Sequence, residues 1–248
     1  MAYACGFQAV GLRLIPIGLS GEPRYALAGD PDAARDIRQA LDETGIRFLD
    51  VEVVRITDAG NPLHYASALE GAAALGAEFA IVNVYTTDPT RAADDLGRLC
   101  HLSKPLGLTM VLEPVSFSDL WTVAQAIALV RACGQHNAGV LVDTLHQHSS
   151  GEPATALDAL SSVRAPFVHV CDGPAEVPTD PEGRRRLARA ERLLPGEGRI
   201  DLTGMLARLP RDIVYAVEAP NPARAAALGP AAYARLAFEK TVACLNSA

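Results

Sequence analysis

Four apolar stretches that each end in a potential metal ligand constrain this sequence more than any other feature. The clearest is residues 139–148 (GVLVDTLHQH), in which an apolar run leads directly into Asp143. A short, β-branched apolar run of this kind is typical of a buried strand in a parallel sheet. Three further runs end in the same way, at Glu113, His169 and Glu218. Because the C-terminal ends of the strands meet at one face of a strand–helix barrel, we expect these four side chains to converge.

Strand-like runs alternate with helix-like segments along the whole chain. We predict strands at residues 9–15, 48–56, 79–85, 109–115, 139–145, 167–171 and 213–217. We predict helices at residues 31–44, 62–75, 88–106, 118–132, 153–163, 181–193, 202–209 and within 223–244. Asp30 and Ser118 are the expected N-caps of two of these helices. The alternation predicts βαβ units and therefore an α/β fold with a parallel sheet.

The length of 248 residues suits one barrel domain that spans residues 1–248. Seven strands are recognisable, however, whereas a closed (β/α)₈ barrel has eight. Residues 1–7 (MAYACGF) resemble the last turn of a helix with a C-terminal glycine. We therefore expect that the first βα unit is missing, either naturally or because the sequence is truncated.

Charge and composition exclude several classes of protein. A formal net charge of −7 argues against a nucleic-acid partner, since phosphate binding needs a basic surface. No apolar run reaches membrane-spanning length, and no signal peptide is recognisable, so we expect a cytoplasmic protein without membrane contact. The five cysteines are widely spaced without a CxxC pair, which favours neither a disulfide framework nor a thiolate zinc site.

The ligand types favour a hard divalent ion. Glu113, Asp143, His169 and Glu218 provide three carboxylates and one imidazole, a set that suits Mn²⁺, Mg²⁺ or Co²⁺ and still allows Zn²⁺. Each of these residues alone has an ordinary alternative, because a charged residue at a strand end often caps a helix or pairs with an arginine. Four such residues on four strands favour the metal site.

The motifs around these residues resemble a known family. LEPV, VDTLH, VHVCD and VEAP, together with PGEG at residues 195–198, are similar to the xylose-isomerase-like sugar phosphate isomerases and epimerases, in particular the D-tagatose 3-epimerase branch. The resemblance implies a TIM barrel with a divalent metal, commonly manganese, held by Glu113, Asp143, His169 and Glu218. It also implies that Glu113 and Glu218 are the proton-transfer pair and that His146 binds substrate.

Five further residues are candidates for contacts with substrate. The family usually has an arginine between the histidine ligand and the PGEG turn, for which Arg184 and Arg192 are the candidates. Asp172 either orients His169 or binds substrate. Glu52 and Asn83 lie on predicted strands and are candidates either for contacts with substrate or for ordinary structural roles.

Three functions remain compatible with these residues. Two carboxylates beside a Lewis-acidic metal can remove and return a proton next to a carbonyl of a small sugar or polyhydroxylated keto compound, which gives isomerisation or epimerisation. Proton removal followed by loss of a hydroxyl gives a dehydratase of the same superfamily. A non-catalytic ligand-binding or partner subunit is the third function. DNA repair of the endonuclease IV type is not favoured, because the early strands lack the additional histidines of its zinc site.

The strand count also predicts an oligomer. Seven strands leave a seam between residues 9–15 and 213–217, and exposed sheet edges are normally covered. We therefore expect a homodimer or higher oligomer whose partner chain covers the seam.

Overall fold

The structure, a computed structural model, describes residues 1–17 and 30–247. All seven predicted strands are present, and the fifth is divided at Leu141 into two short segments. The strands are β1 (Ala9–Arg13), β2 (Arg47–Thr57), β3 (Phe79–Tyr85), β4 (Thr109–Leu112), β5 (Ala138–Val140), β6 (Val142–Asp143), β7 (Phe167–Val170) and β8 (Val214–Val217). The glycines and proline at Gly18, Gly21 and Pro23 predict a polar loop, which lies outside the described residues.

The strands form two sheets, one with the order β1-β2-β3-β4-β5 and the other with the order β6-β7-β8. The described strand pairings are parallel, as the βαβ pattern predicts. The chain divides into two compact units. The first comprises Met1 and residues 113–128 and 140–248, and the second comprises residues 2–112 and 129–139. Each unit has its own apolar interior, with Phe167 and Leu157 buried in the first and Leu96 and Ile81 in the second.

Ten α-helices are present within the described residues. They are α1 (Ala2–Cys5), α2 (Pro31–Thr44), α3 (Ala66–Ala74), α4 (Pro89–Ser103), α5 (Val123–Cys133), α6 (Thr144–Ser150), α7 (Pro181–Ala190), α8 (Leu202–Leu206), α9 (Pro222–Leu228) and α10 (Pro230–Ser247). Asp30 caps α2 as predicted, since its Oδ1 accepts a hydrogen bond from the Ala33 amide at 3.0 Å. Gly6 follows α1 with φ 99°, in agreement with the predicted helix end.

The prediction that Ser118 caps a helix was wrong. The Ser118 hydroxyl donates to the carbonyls of Val115 and Leu120, and α5 begins only at Val123. The cap is instead a reciprocal pair, in which the Gln125 amide donates to Thr122 Oγ1 while Gln125 Oε1 accepts from the Thr122 amide. The sequence TVAQ carries this capping-box pattern, which therefore identifies the true start of the helix.

Several other predicted boundaries differ from the structure. The fifth strand was expected to reach residue 145, but α6 begins at Thr144 because Asp143 caps it. Three predicted helices are wholly or partly 3₁₀ helices, over the segments Pro62–Tyr65, Lys104–Leu106 and Ala154–Ser162. The C-terminal segment contains two helices rather than one, because Gly229 and Pro230 separate α9 from α10.

Candidate metal centre

The four predicted ligands converge in the first unit. Asp143 and His169 are paired in register on the neighbouring strands β6 and β7. Glu218 directly follows β8, and its amide donates to the Val170 carbonyl at 3.1 Å. Glu113 directly follows β4 in sequence. One ligand atom from each of the four side chains lies within 4.8 Å of the other three, so the predicted cluster is present as a geometric site.

His169 occupies the centre of this cluster. Its Nδ1 lies 3.2 Å from Glu113 Oε1, 3.4 Å from Glu218 Oε2 and 4.0 Å from Asp143 Oδ2. Burial acts to lower the pKa of His169, but the negative charge of Glu218 and the hydrogen bond with Glu113 outweigh it and raise the pKa well above its ordinary value. The carboxylates around it thus stabilise a positive charge at this position.

The two glutamates remain ionised, although Glu113 is buried and Glu218 is partly buried. Burial acts to raise the pKa of Glu113, but the hydrogen bond and charge of His169 lower it below its ordinary value. Burial acts in the same direction on Glu218, and the nearby charges of Arg192 and His169 lower the pKa of Glu218 below its ordinary value. Both groups are thus in the form that binds a cation or accepts a proton.

Arg192 is the arginine that the structure places in this cluster. Its Nη1 lies 2.5 Å from Asp143 Oδ2 and its Nη2 lies 2.8 Å from Glu218 Oε2, while Nε donates to the Ala188 carbonyl. The side chain is only 3% exposed. Arg192 therefore compensates two of the three carboxylates directly.

His146 lies beside the cluster in a defined tautomer. The Ser116 amide donates to His146 Nδ1 at 3.2 Å, so Nδ1 is the acceptor and the proton of the neutral ring is on Nε2. Burial lowers the pKa of His146, which keeps the ring neutral. Sequence reasoning did not identify Ser116, although its position shortly after LEPV is the signal that would have found it. The arrangement leaves His146 with an N–H donor at Nε2.

Asp172 has a structural role in this unit. Its two carboxylate oxygens accept hydrogen bonds from four backbone amides, those of Gly173, Gly196, Gly198 and Ile200. Gly198 is required here, because a Cβ at this position would lie 2.2 Å from the Gly173 carbonyl. The carboxylate thus holds the PGEG turn, and its predicted contact with substrate stays a prediction.

Arg184, the second predicted arginine, contacts the segment that follows Glu113 rather than the four ligands. Its Nη1 donates to the Ser116 carbonyl at 3.2 Å, and its guanidinium lies 5.0 Å from the centre of the Trp121 ring. The side chain of Trp121, the single tryptophan of the sequence, therefore takes part in a cation–π contact.

Glu52 and Asn83 belong to the second unit. Glu52 on β2 forms an ion pair with Arg13 on β1, with 2.5 Å between Arg13 Nη2 and Glu52 Oε2. Asn83 is buried on β3, in register with Arg55. Their predicted contacts with substrate stay predictions.

The donor set fits a divalent cation. Three carboxylates and the Arg192 guanidinium leave a formal charge of −2 when the imidazole is neutral, and one divalent ion offsets that charge. Glu218 Oε2 is buried and accepts no hydrogen bond from the described residues. Arg192 Nη2 lies 2.8 Å away as an ion-pair partner only. A buried carboxylate oxygen in this condition is a suitable metal ligand.

Comparisons with known proteins support the predicted resemblance. The family described as xylose isomerase-like TIM barrel matches residues 2–237. The chain is 30% identical over 187 residues to 3-dehydroshikimate dehydratase of Pseudomonas aeruginosa, which covers 70% of this chain and 29% of that protein. It is 28% identical over 120 residues to inosose isomerase of Bacillus velezensis, which covers 48% of this chain and 41% of that protein. The matches thus span less than half the length of these two relatives.

The solved structures show a similar fold. A crystal structure of the IolI protein with a bound zinc atom has a TM-score of 0.77 at 20% sequence identity, and the match covers 97% of this chain and 88% of that one. The predicted α/β fold of TIM-barrel type is confirmed. Within the described residues, no helix has the length and apolar character needed to cross a bilayer.

Proposed function

We propose that this chain, which belongs to the xylose isomerase-like TIM barrel family, is a divalent-metal-dependent isomerase or epimerase of a small polyhydroxylated carbonyl compound. The observation that carries the proposal is the convergence of four ligand atoms within 4.8 Å. Three of the four residues are buried, and all come from positions at or directly after strand ends. Such a set of carboxylates with one imidazole is typical of a catalytic divalent-metal site rather than of a surface acidic patch.

Glu113, Asp143, His169 and Glu218 would hold the ion. Mn²⁺ is our first choice because three of the four ligands are carboxylates, and Mg²⁺, Co²⁺ and Zn²⁺ are the alternatives. The zinc atom in the IolI structure supports the choice of a divalent ion without deciding which one. When bound, the ion would supply Lewis-acid polarisation of a substrate carbonyl.

The residues of the chain then perform the proton transfers. Glu113 and Glu218 approach His169 Nδ1 separately, at 3.2 and 3.4 Å, and both are ionised. One glutamate, as a carboxylate, takes the proton from the carbon next to the carbonyl. The other takes up a proton from solvent to become the acid and delivers it to the opposite face, which inverts that carbon. His146 donates its Nε2 proton in a hydrogen bond to a substrate oxygen. Arg192 holds the carboxylates of Asp143 and Glu218 in position.

Dehydration is the second candidate, favoured by the similarity to 3-dehydroshikimate dehydratase. The first half of the reaction is the same, because a glutamate removes the proton next to the carbonyl. The difference is that a β-hydroxyl group then leaves as water instead of a proton returning to carbon. Both candidates therefore need the same proton-abstracting base, and product analysis distinguishes them.

Hydrogen exchange in D₂O tests the proposal. Protein loaded with Mn²⁺ is incubated with inososes, ketoses and 3-dehydroshikimate, and deuterium at the carbon next to the carbonyl is followed by NMR. We expect exchange with at least one compound, and a decrease of about 10²- to 10⁴-fold in Glu218→Gln. Glu239→Gln is the matched control, because Glu239 is an exposed glutamate of α10. Accumulation of a dehydrated product would identify the dehydratase.

Metal analysis provides a separate test of the ligand set. We expect about one divalent ion per chain in protein purified without chelators, and loss of that ion in Asp143→Ala and His169→Ala. Retention of the ion by both variants would contradict the ligand assignment. Metal binding without exchange or dehydration of any compound would instead favour a non-catalytic binding protein.

A further inference from the structure

Helix α7 brings arginines against the segment that follows Glu113. The Arg184 guanidinium lies 5.0 Å from the centre of the Trp121 ring. Arg185 and Arg189 lie 5.5 and 5.4 Å from the centre of the Phe117 ring. Three positive charges of one helix are therefore held on two aromatic rings of one neighbouring segment.

Arg184 differs from Arg185 because no carboxylate compensates it. Arg185 pairs with Glu182 at 2.6 Å, whereas the hydrogen bonds of Arg184 go to the carbonyls of Pro178 and Ser116. Among the residues that the structure describes, no acidic side chain forms an ion pair with Arg184, and its Nη2 makes no hydrogen bond. A half-buried positive charge with free donors remains.

A short series of contacts connects this charge to the metal cluster. Arg184 donates to the Ser116 carbonyl, and the Ser116 amide donates to His146 Nδ1. The amide of His146 in turn donates to Asp143 Oδ1 at 2.9 Å. The Phe117 ring also packs edge-on against the His146 ring, with 5.6 Å between the ring centres. The arginine thus shares its neighbours with the residue that we propose as a donor to substrate.

We propose that the substrate carries an anionic group, a carboxylate or a phosphate, that Arg184 binds. This inference rests on the proposed function and adds the class of substrate to it. The two carbonyl bonds and the Trp121 ring fix the plane of the guanidinium, and its Nη2 edge remains available. A guanidinium fixed in this way binds planar or tetrahedral oxyanions through paired hydrogen bonds, which is the geometry in which arginine is superior to lysine.

Binding measurements with matched cyclic polyols test the inference. Mn²⁺-loaded protein is titrated by calorimetry with quinate, myo-inositol 1-phosphate and neutral myo-inositol. We expect at least one of the anions to bind about tenfold or more tightly than myo-inositol, and the preferred anion identifies a carboxylate or a phosphate site. Arg184→Gln should weaken binding of that anion by about 10- to 100-fold while leaving myo-inositol unchanged.

Two further variants separate this contact from general effects. Arg186→Gln is the control for net charge, because Arg186 is an exposed arginine of the same helix that pairs with Glu191 at 3.1 Å. It should leave the anion preference intact. Arg184→Lys keeps the charge without the planar fork and should give an intermediate affinity. This variant also tests the inference if Arg184→Gln does not fold.

The outcomes distinguish this inference from the proposed reaction. Equal affinity of wild-type protein for anions and myo-inositol, or an anion preference that persists in Arg184→Gln, would overturn the anion site. Exchange in D₂O by a wild-type protein that shows no anion preference would leave the proposed reaction standing without the anion site. An anion preference that depends on Arg184, without hydrogen exchange on any compound, would support the anion site and overturn the proposed reaction.

Discussion

Replacement of Arg192 by methionine should destabilise the metal-free protein strongly. The guanidinium is 3% exposed and lies 2.5 Å from Asp143 Oδ2 and 2.8 Å from Glu218 Oε2. Coulomb's law with an effective dielectric constant of about 20 gives about 6 kcal/mol of attraction for each contact, and much of this is offset by desolvation of the charges. Removing one partner from a buried ion pair has a net cost of about 3–5 kcal/mol, because Asp143 stays buried and both carboxylates lose their guanidinium partner.

The assay is chemical and thermal unfolding in the presence of EDTA. For a chain of this size, a loss of 3–5 kcal/mol corresponds to a decrease in Tm of about 6–20 °C. Arg186→Met is the control, since Arg186 forms an exposed ion pair, and it should change the free energy of unfolding by less than about 0.5 kcal/mol. Mn²⁺ should reduce the deficit of Arg192→Met, because a divalent ion compensates the same carboxylates.

A double-mutant cycle identifies the source of the effect. Combining Arg192→Met with Asp143→Asn should cost about 1–3 kcal/mol less than the sum of the two single changes, because both remove the same interaction. The reasoning would be refuted if Arg192→Met in EDTA were as stable as wild-type protein. Strict additivity of the two changes would show that Arg192 acts through its packing instead of its charge.

Three further predictions concern other parts of the chain. Hydrogen bonds from Arg224, one of them 2.9 Å long, lower the pKa of Glu197 below its ordinary 4.5. This pair therefore stabilises the protein above about pH 4.5, and the stabilisation is lost as the pH falls below that value. Glu197→Gln should reduce the loss of stability at acidic pH in a pH series of thermal melts. A hydrogen bond with Cys100 lowers the pKa of Cys133 to about 7 against the effect of burial. Iodoacetamide at pH 8 should therefore label Cys133 before Cys100, as followed by peptide mass spectrometry. Preferential labelling of Cys100 would contradict this prediction. Thr122→Ala removes one half of the α5 capping box and should lower the free energy of unfolding by about 0.5–2 kcal/mol in denaturant titrations. An unchanged denaturant midpoint would show that the cap does not stabilise the protein.

Local patterns in the sequence were sufficient to predict the strands and the four residues that converge in the cluster. Buried parallel strands need continuous apolar runs, and a charged residue directly after such a run is conspicuous. Residues 79–85 and 31–44 therefore match β3 and α2 at both ends. The start of α5 was missed because Ser118 resembles an N-cap, while the Thr122–Gln125 pair that caps the helix was overlooked.

The sequence by itself thus determined the alternation of strands and helices and the residue types at the strand ends, since both depend on neighbours along the chain. Only the tertiary structure distinguished Arg192 from Arg184, because both lie in the same segment and differ only in the partners that folding brings to them. The role of Asp172 in holding the PGEG turn depends in the same way on backbone amides about 25 residues later in the chain. Contacts between distant residues follow from how the strands and loops pack, and no local pattern specifies that packing.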